Sequence, residues 1–126
     1  MTRRQHILTL LAVAFTLFVG VIPAQAARLA TVGGRAQGDQ VTQSDGFVLG
    51  GQQTTLTLSY NITGQNGCNV QVRIRRKLPN GRWSLTDTPV RTQRSVNGSR
   101  QITLPAGEYQ IVVVASNAQF TVTIDN

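Results

Sequence analysis

Leu56-Thr57-Leu58-Ser59-Tyr60-Asn61-Ile62 alternates apolar and polar side chains without a break. Successive side chains of a strand point to opposite faces, so this stretch reads as a half-buried strand with one wet face. The same period returns downstream, where Val70, Val72 and Ile74 alternate with Gln71, Arg73 and Arg75. Further on, Tyr109, Ile111, Val113 and Ala115 supply one face of a strand whose other face, Val112 and Val114, is apolar too. A strand apolar on both faces is expected at the centre of a sheet, covered on both sides. Phe120, Val122 and Ile124 then alternate with Thr121 and Thr123. Beyond the first 26 residues no useful length shows helical period. The pattern predicts an all-β chain: one antiparallel β-sandwich, jelly-roll-like or immunoglobulin-like, of about seven or eight short strands.

The turns between these runs set which side chains share a face. Asn80-Gly81 reads as a two-residue hairpin turn, because both residues accept the positive φ angles such a turn needs. On that register Pro79 faces Arg82, Lys77 faces Ser84 and Arg75 faces Thr86. Trp83 and Leu85 then join Ile74 and Leu78 on the core side, and Arg73, Arg75 and Lys77 form an outer stripe. Asn97-Gly98 reads as a second turn, between a polar strand over 91–96 and a strand over 101–104. Pro105-Ala106-Gly107 and Ser116-Asn117 are read as further corners. The expected core is Phe47, Leu56, Leu58, Tyr60, Val70, Val72, Ile74, Trp83, Leu85, Ile111, Val113, Phe120, Val122 and Ile124.

The chain starts differently. Thr2-Arg3-Arg4 is followed by an apolar run over 7–22, interrupted by Thr9, Thr16 and Gly20, and then by Pro23-Ala24-Gln25-Ala26. A charged start, a short apolar middle and an A-x-A site identify residues 1–26 as a secretory signal peptide, a helix cut after Ala26. The run is shorter than the roughly 20 residues of a membrane span. The mature protein is therefore expected to be exported, periplasmic or extracellular. Residues 27–45, rich in Gly and Gln, read as a flexible leader or edge strand, and residues 46–126 as the sandwich domain.

Of the 12 Lys and Arg residues, only Arg3 and Arg4 fall in the signal segment, whereas all 5 acidic residues lie beyond it. The mature product stays basic, which favours contact with anionic surfaces and says nothing of fold. A single cysteine, Cys68, rules out an intramolecular disulfide, and its place beside an apolar alternation suggests a buried, inert thiol.

The one histidine, His6, leaves with the signal peptide. Without it no Ser-His-Asp or Cys-His arrangement can form, and histidine-based metal sites go as well. Asp39, Asp45, Asp87, Glu108 and Asp125 are scattered, with no spacing that pairs two of them for glycoside hydrolysis or gathers them for calcium. The chain reads as non-catalytic, with no cofactor and no metal. The positive signal is the stripe of Arg73, Arg75 and Lys77, with Arg82 at the turn, as an anion-binding set. Guanidinium forks suit carboxylates, sulfates and phosphates. The alternative is a solvated outer face whose charge discourages edge-to-edge pairing. Arg76 breaks the alternation and points to the core side, where an ion pair with Asp87 or stacking on Trp83 would hold it.

No aromatics interleave with the stripe, so nucleic acid is not an expected partner. The expected partner is an extracytoplasmic protein or glycan. An anionic-surface binder (lipopolysaccharide, acidic polysaccharide or anionic lipid, reaching a membrane only through surface electrostatics) and a self-assembling envelope protein are the alternatives. The sequence sets no oligomeric state.

The block Leu104-Pro105-Ala106-Gly107-Glu108-Tyr109-Gln110-Ile111-Val112-Val113, closing with Phe120-Thr121-Val122-Thr123-Ile124, resembles the end of pre-peptidase C-terminal domains. The resemblance extends over residues 47–124. It implies a jelly-roll-like sandwich of the kind carried by secreted bacterial enzymes, where it assists secretion or binds substrate. Asn69 and Gln71 stand where that family usually carries acidic residues.

Overall fold

A computed structural model describes residues 27–126, and the signal-peptide reading lies outside these described residues. Five strand elements carry the fold: β1 Arg28–Ala36, β2 Gln40–Gln43, β3 Phe47–Lys77, β4 Trp83–Thr92 and β5 Val96–Asp125. They are fewer than the alternation predicts because β3 and β5 stay extended while they change partners. Partner numbers fall as residue numbers rise, as in Phe47↔Tyr109 followed by Val48↔Glu108, so the strands run antiparallel.

The register resolves the elements into two paths of neighbours. One places 28–36 beside 118–125, then 53–64, then 96–105; the other places 40–43 beside 109–116, then 69–77, then 83–92. In chain order these extended segments stand 1-8-3-6 and 2-7-4-5, the double Greek key of a jelly roll rather than an immunoglobulin order. One face of each path is buried in a single cluster. Leu56, Leu58, Ile62, Phe120, Val122 and Ile124 come from the first path, and Val70, Val72, Ile74, Tyr109, Ile111 and Val113 from the second. Burying each such side chain stabilises by about 1.5–3 kcal/mol before conformational entropy is counted. Cys68 is buried in the same cluster.

Residues 27–45 contribute more than a leader. β1 pairs along its length with β5 and buries Ala30, Val32 and Ala36, small side chains whose apolar character is diluted in sequence by neighbouring glycines. The segment 109–116 lies between β2 and 69–76, with Val112 buried on the face opposite Val113, as its two-sided apolarity predicts. Arg100, on the outermost segment of the first path, donates to the Pro89 carbonyl on β4 and so ties the two paths at one side.

Two turns differ from their sequence reading. At 78–82 the Gly81 amide donates to the Leu78 carbonyl (2.9 Å) and the Leu78 amide to the Arg82 carbonyl (2.7 Å). The loop therefore has three residues, Pro79 to Gly81. Only Gly81 (φ 86°) takes the left-handed conformation; Asn80 does not. This is a turn closed by a left-handed glycine, in which Pro suits the first position. The pairs become Lys77↔Trp83 and Arg75↔Leu85. A one-residue slip sends every side chain to the other face, so Trp83 and Leu85 stand outside with Arg75 and Lys77, and Leu85 is 56% exposed. The expected core places for Trp83 and Leu85 are thereby corrected.

Asn97-Gly98 makes no turn either. Asn97 pairs with Asn61 and Gly98 with Tyr60, inside a strand, and the chain reverses at 93–95 instead. A Cβ on Gly98 would lie 3.0 Å from Tyr60 Oη, so the glycine leaves room for the ring. The hairpin geometry predicts that Gly81→Ala costs about 1–2 kcal/mol, the left-handed penalty of an L-residue. Asn80→Ala should cost less, since Asn80 contributes only an acceptor for the Arg82 amide (2.9 Å). Urea unfolding of the two variants measures both, and the reverse order would restore the two-residue turn.

Candidate binding face

The outer side of the second path is built by the period-two arrangement of its strands. Asn69, Gln71, Arg73, Arg75 and Lys77 alternate with the buried Val70, Val72 and Ile74. Register places Val41, Val114, Gln71 and Arg91 in one row across four strands, Gln43, Val112 and Arg73 in the next, and Gln110, Arg75 and Leu85 in a third.

Three of the four sequence-predicted site residues do share this face, but each spends its charge on a protein partner. Arg73 donates from Nε (3.1 Å) and Nη2 (2.7 Å) to Gln71 Oε1. Arg75 Nη2 donates to Gln110 Oε1 (2.8 Å), and its Nε is buried with no partner. Gln110 passes the network on, its Nε2 donating to the Ser44 carbonyl (3.2 Å). Lys77 Nζ stands 3.8 Å from Glu108 Oε1. Arg82 lies apart, exposed at the hairpin, and is not brought together with the other three. Arg76 does point to the core side, but its guanidinium lies over the Tyr109 ring (6.0 Å) and Nη2 donates to the Ala106 carbonyl (2.7 Å). Neither expected partner holds it: Asp87 accepts from the Thr88 amide (2.8 Å), and Trp83 is on the opposite side of the sheet.

The open part of the face is elsewhere. Asn69, Gln71, Arg91, Thr92, Gln93 and Arg94 line a groove of about 710 Å³. A second groove of about 310 Å³ shares Asn69 and Gln71 and continues to Val41, Val114, Ser116 and Asp39. Among the described residues the Arg91 and Arg94 side chains form neither of the ion pairs (Arg28–Asp125 and Lys77–Glu108), and Arg94 is held through its backbone, its amide donating to Thr92 Oγ1 (3.2 Å). Sequence reasoning missed both arginines. The signal that locates Arg91 is its cross-strand pairing with Gln71, which a mispredicted hairpin conceals.

The carboxylates are dispersed and mostly engaged. Asp39 accepts from Ser116 Oγ, Asp87 from the Thr88 amide and Asp125 from Arg28, while Glu108 faces Lys77. Among the described residues no group of three His, Cys, Asp or Glu is placed to hold a metal ion, and no helix is long and apolar enough to cross a membrane.

No family model matches the sequence, and no curated protein matches it. Solved structures of similar shape include that of infectious bursal disease virus Gt strain, at 9% identity and TM-score 0.46, covering 80% of this chain and 31% of the viral one. This chain thus spans about a third of that protein. A family 16 carbohydrate-binding module aligns at 19% identity and TM-score 0.39, covering 75% of this chain and 72% of the module. A family 32 carbohydrate-binding module of AlyQ, in complex with 4,5-unsaturated mannuronic acid, aligns at 13% identity and TM-score 0.39, covering 75% of each chain.

Proposed function

We propose that this chain is an exported, non-catalytic module that binds an extracytoplasmic glycan on the outer face of its second sheet. The observation that carries this reading is the open groove lined by the amides of Asn69, Gln71 and Gln93 and the guanidinium groups of Arg91 and Arg94. The amides of Asn69 and Gln93 each offer two donors and a carbonyl acceptor at one place, which suits vicinal hydroxyls, and Gln71, whose carbonyl accepts from Arg73, adds its two donors. The sequence has no histidine beyond residue 26 and no spacing that pairs two carboxylates, which supports the non-catalytic part of the reading.

An electrostatic binder of anionic surfaces is the second reading, favoured by the excess of basic residues. Salt separates the two, because exposed charge contacts are screened within about 10 Å at 0.1 M. The purified protein, screened against immobilised neutral and anionic glycans at low and moderate salt, is expected to retain some glycans at moderate salt. The double variant Asn69→Ala/Gln71→Ala should lose them. Binding only to anionic lipid or lipopolysaccharide, and only at low salt, would establish the second reading instead. Binding to no glycan overturns the first. Export is checked by the intact mass of the protein recovered from its own host, which should correspond to a chain beginning at Ala27.

A further inference from the structure

The two grooves on the binding face share Asn69 and Gln71 and are one trough crossing β4, the 69–77 segment, the 109–116 segment and β2. Three strand spacings make it about 14 Å long, room for a short oligosaccharide lying across the strands. Its two ends differ chemically. At one end stand Arg91 and Arg94, exposed, with no acidic side chain lining that groove. In the middle lie the amides of Asn69 and Gln71. At the other end Val41, 59% exposed, and Val114 offer an apolar floor, and Asp39, the one carboxylate lining it among the described residues, is engaged by Ser116. The stripe arginines cannot serve the same purpose, since Arg73 and Arg75 are bonded to Gln71 and Gln110.

We propose that this trough binds an anionic oligosaccharide in one orientation, its carboxylate or sulfate held by Arg91 and Arg94 and a following ring laid on Val41 and Val114. The inference rests on the glycan-binding reading above and adds the ligand's charge and polarity to it. Two guanidinium groups with no side-chain partner among the described residues, beside a row of neutral amides, select for a ligand whose charge is confined to one end. A planar fork makes two parallel bonds to a carboxylate, which lysine at the same place would not. A neutral sugar forgoes these bonds; an anionic polymer without hydroxyls forgoes the amides.

The test is calorimetric titration of the full protein with three trimers: one hexuronic acid at the end of two neutral sugars, the same trimer with its carboxyl group reduced to an alcohol, and a neutral trimer sulfated on its end ring. The hexuronate is expected to bind at least tenfold more tightly than its reduced counterpart, the span of a charge-assisted hydrogen bond. Arg91→Gln and Arg94→Gln should each remove most of that preference, bringing the hexuronate's affinity down towards that of the reduced trimer. Arg35→Gln, a charge loss on β1 away from the trough, should change nothing. Tight binding of the sulfated trimer alongside the hexuronate identifies any compact anion as sufficient, and its failure identifies the carboxylate as the group read. Circular dichroism of each variant verifies folding, so a lost preference is not misread. Equal affinity for hexuronate and reduced trimer overturns the anionic inference and leaves the glycan reading standing. Failure of all three trimers, together with an empty glycan screen, overturns both.

Discussion

Tyr109→Ala is expected to lower the unfolding free energy by about 3–5 kcal/mol, the range for removing a buried aromatic ring. Tyr109 has no exposed surface. Its ring stacks on Phe47, with centroids 6.0 Å apart and planes at 28°, and its hydroxyl donates to the Pro105 carbonyl (2.8 Å). Arg76 lies over the ring and donates to the Ala106 carbonyl, so the ring is the common anchor of the 105–107 corner. Removing it leaves a cavity and frees that corner. Tyr109→Phe keeps the ring and gives up one hydrogen bond, which should cost about 0.5–1.5 kcal/mol. A domain of this size has about 5–15 kcal/mol in total, so the alanine variant loses about a fifth of its stability or more. Urea unfolding distinguishes the two variants, and a Tyr109→Ala protein within 1 kcal/mol of the parent would place the ring outside the core.

Ile74→Ala should cost about 2–5 kcal/mol, whereas Leu85→Ser should stay within about 0.5 kcal/mol of the parent. Both are branched aliphatic residues on adjacent strands, and sequence alone gives them the same role. Ile74 is fully buried against the core cluster, and Leu85 stands in water beside Arg75. The contrast tests the register directly. With a two-residue turn Leu85 would lie inside, and its replacement by serine would be as costly as the change at Ile74. Measured by chemical denaturation, near-equal losses would sink the register described for β4.

The parts of the fold that sequence revealed were those where one face is wet. Residues 55–62 and 70–75 alternate because each strand has a core side and a solvent side, and that alone brought Arg73, Arg75 and Lys77 to one face. The parts it concealed depend on backbone detail a residue pattern does not carry. Asn80-Gly81 is compatible with loops of two or three residues, and the difference of one residue moved Trp83 and Leu85 across the sheet. Asn97-Gly98 resembles the same turn signal, yet Gly98 is there for the Tyr60 ring. β1 was faint because two of its three buried positions are alanine and two glycines interrupt the strand between them. The candidate groove was concealed for a related reason: Arg91 and Arg94 follow two register shifts in β4, so no count from the hairpin reaches them.

The jelly-roll order also bears on how the chain folds. Residues 118–125 lie between β1 and the 57–64 segment, and the Asn126 amide donates to the Ala27 carbonyl (3.0 Å). The middle of the first path thus follows both of its neighbours in sequence, and β1 pairs along its length with this segment. Pairs such as Arg28↔Asp125 close a loop of nearly the whole described chain, and that entropy is lost before any contact returns it. Chains dominated by such distant pairings fold in about milliseconds to seconds. The first path cannot close before these distant segments meet, so its closure is the slow step expected of such a topology.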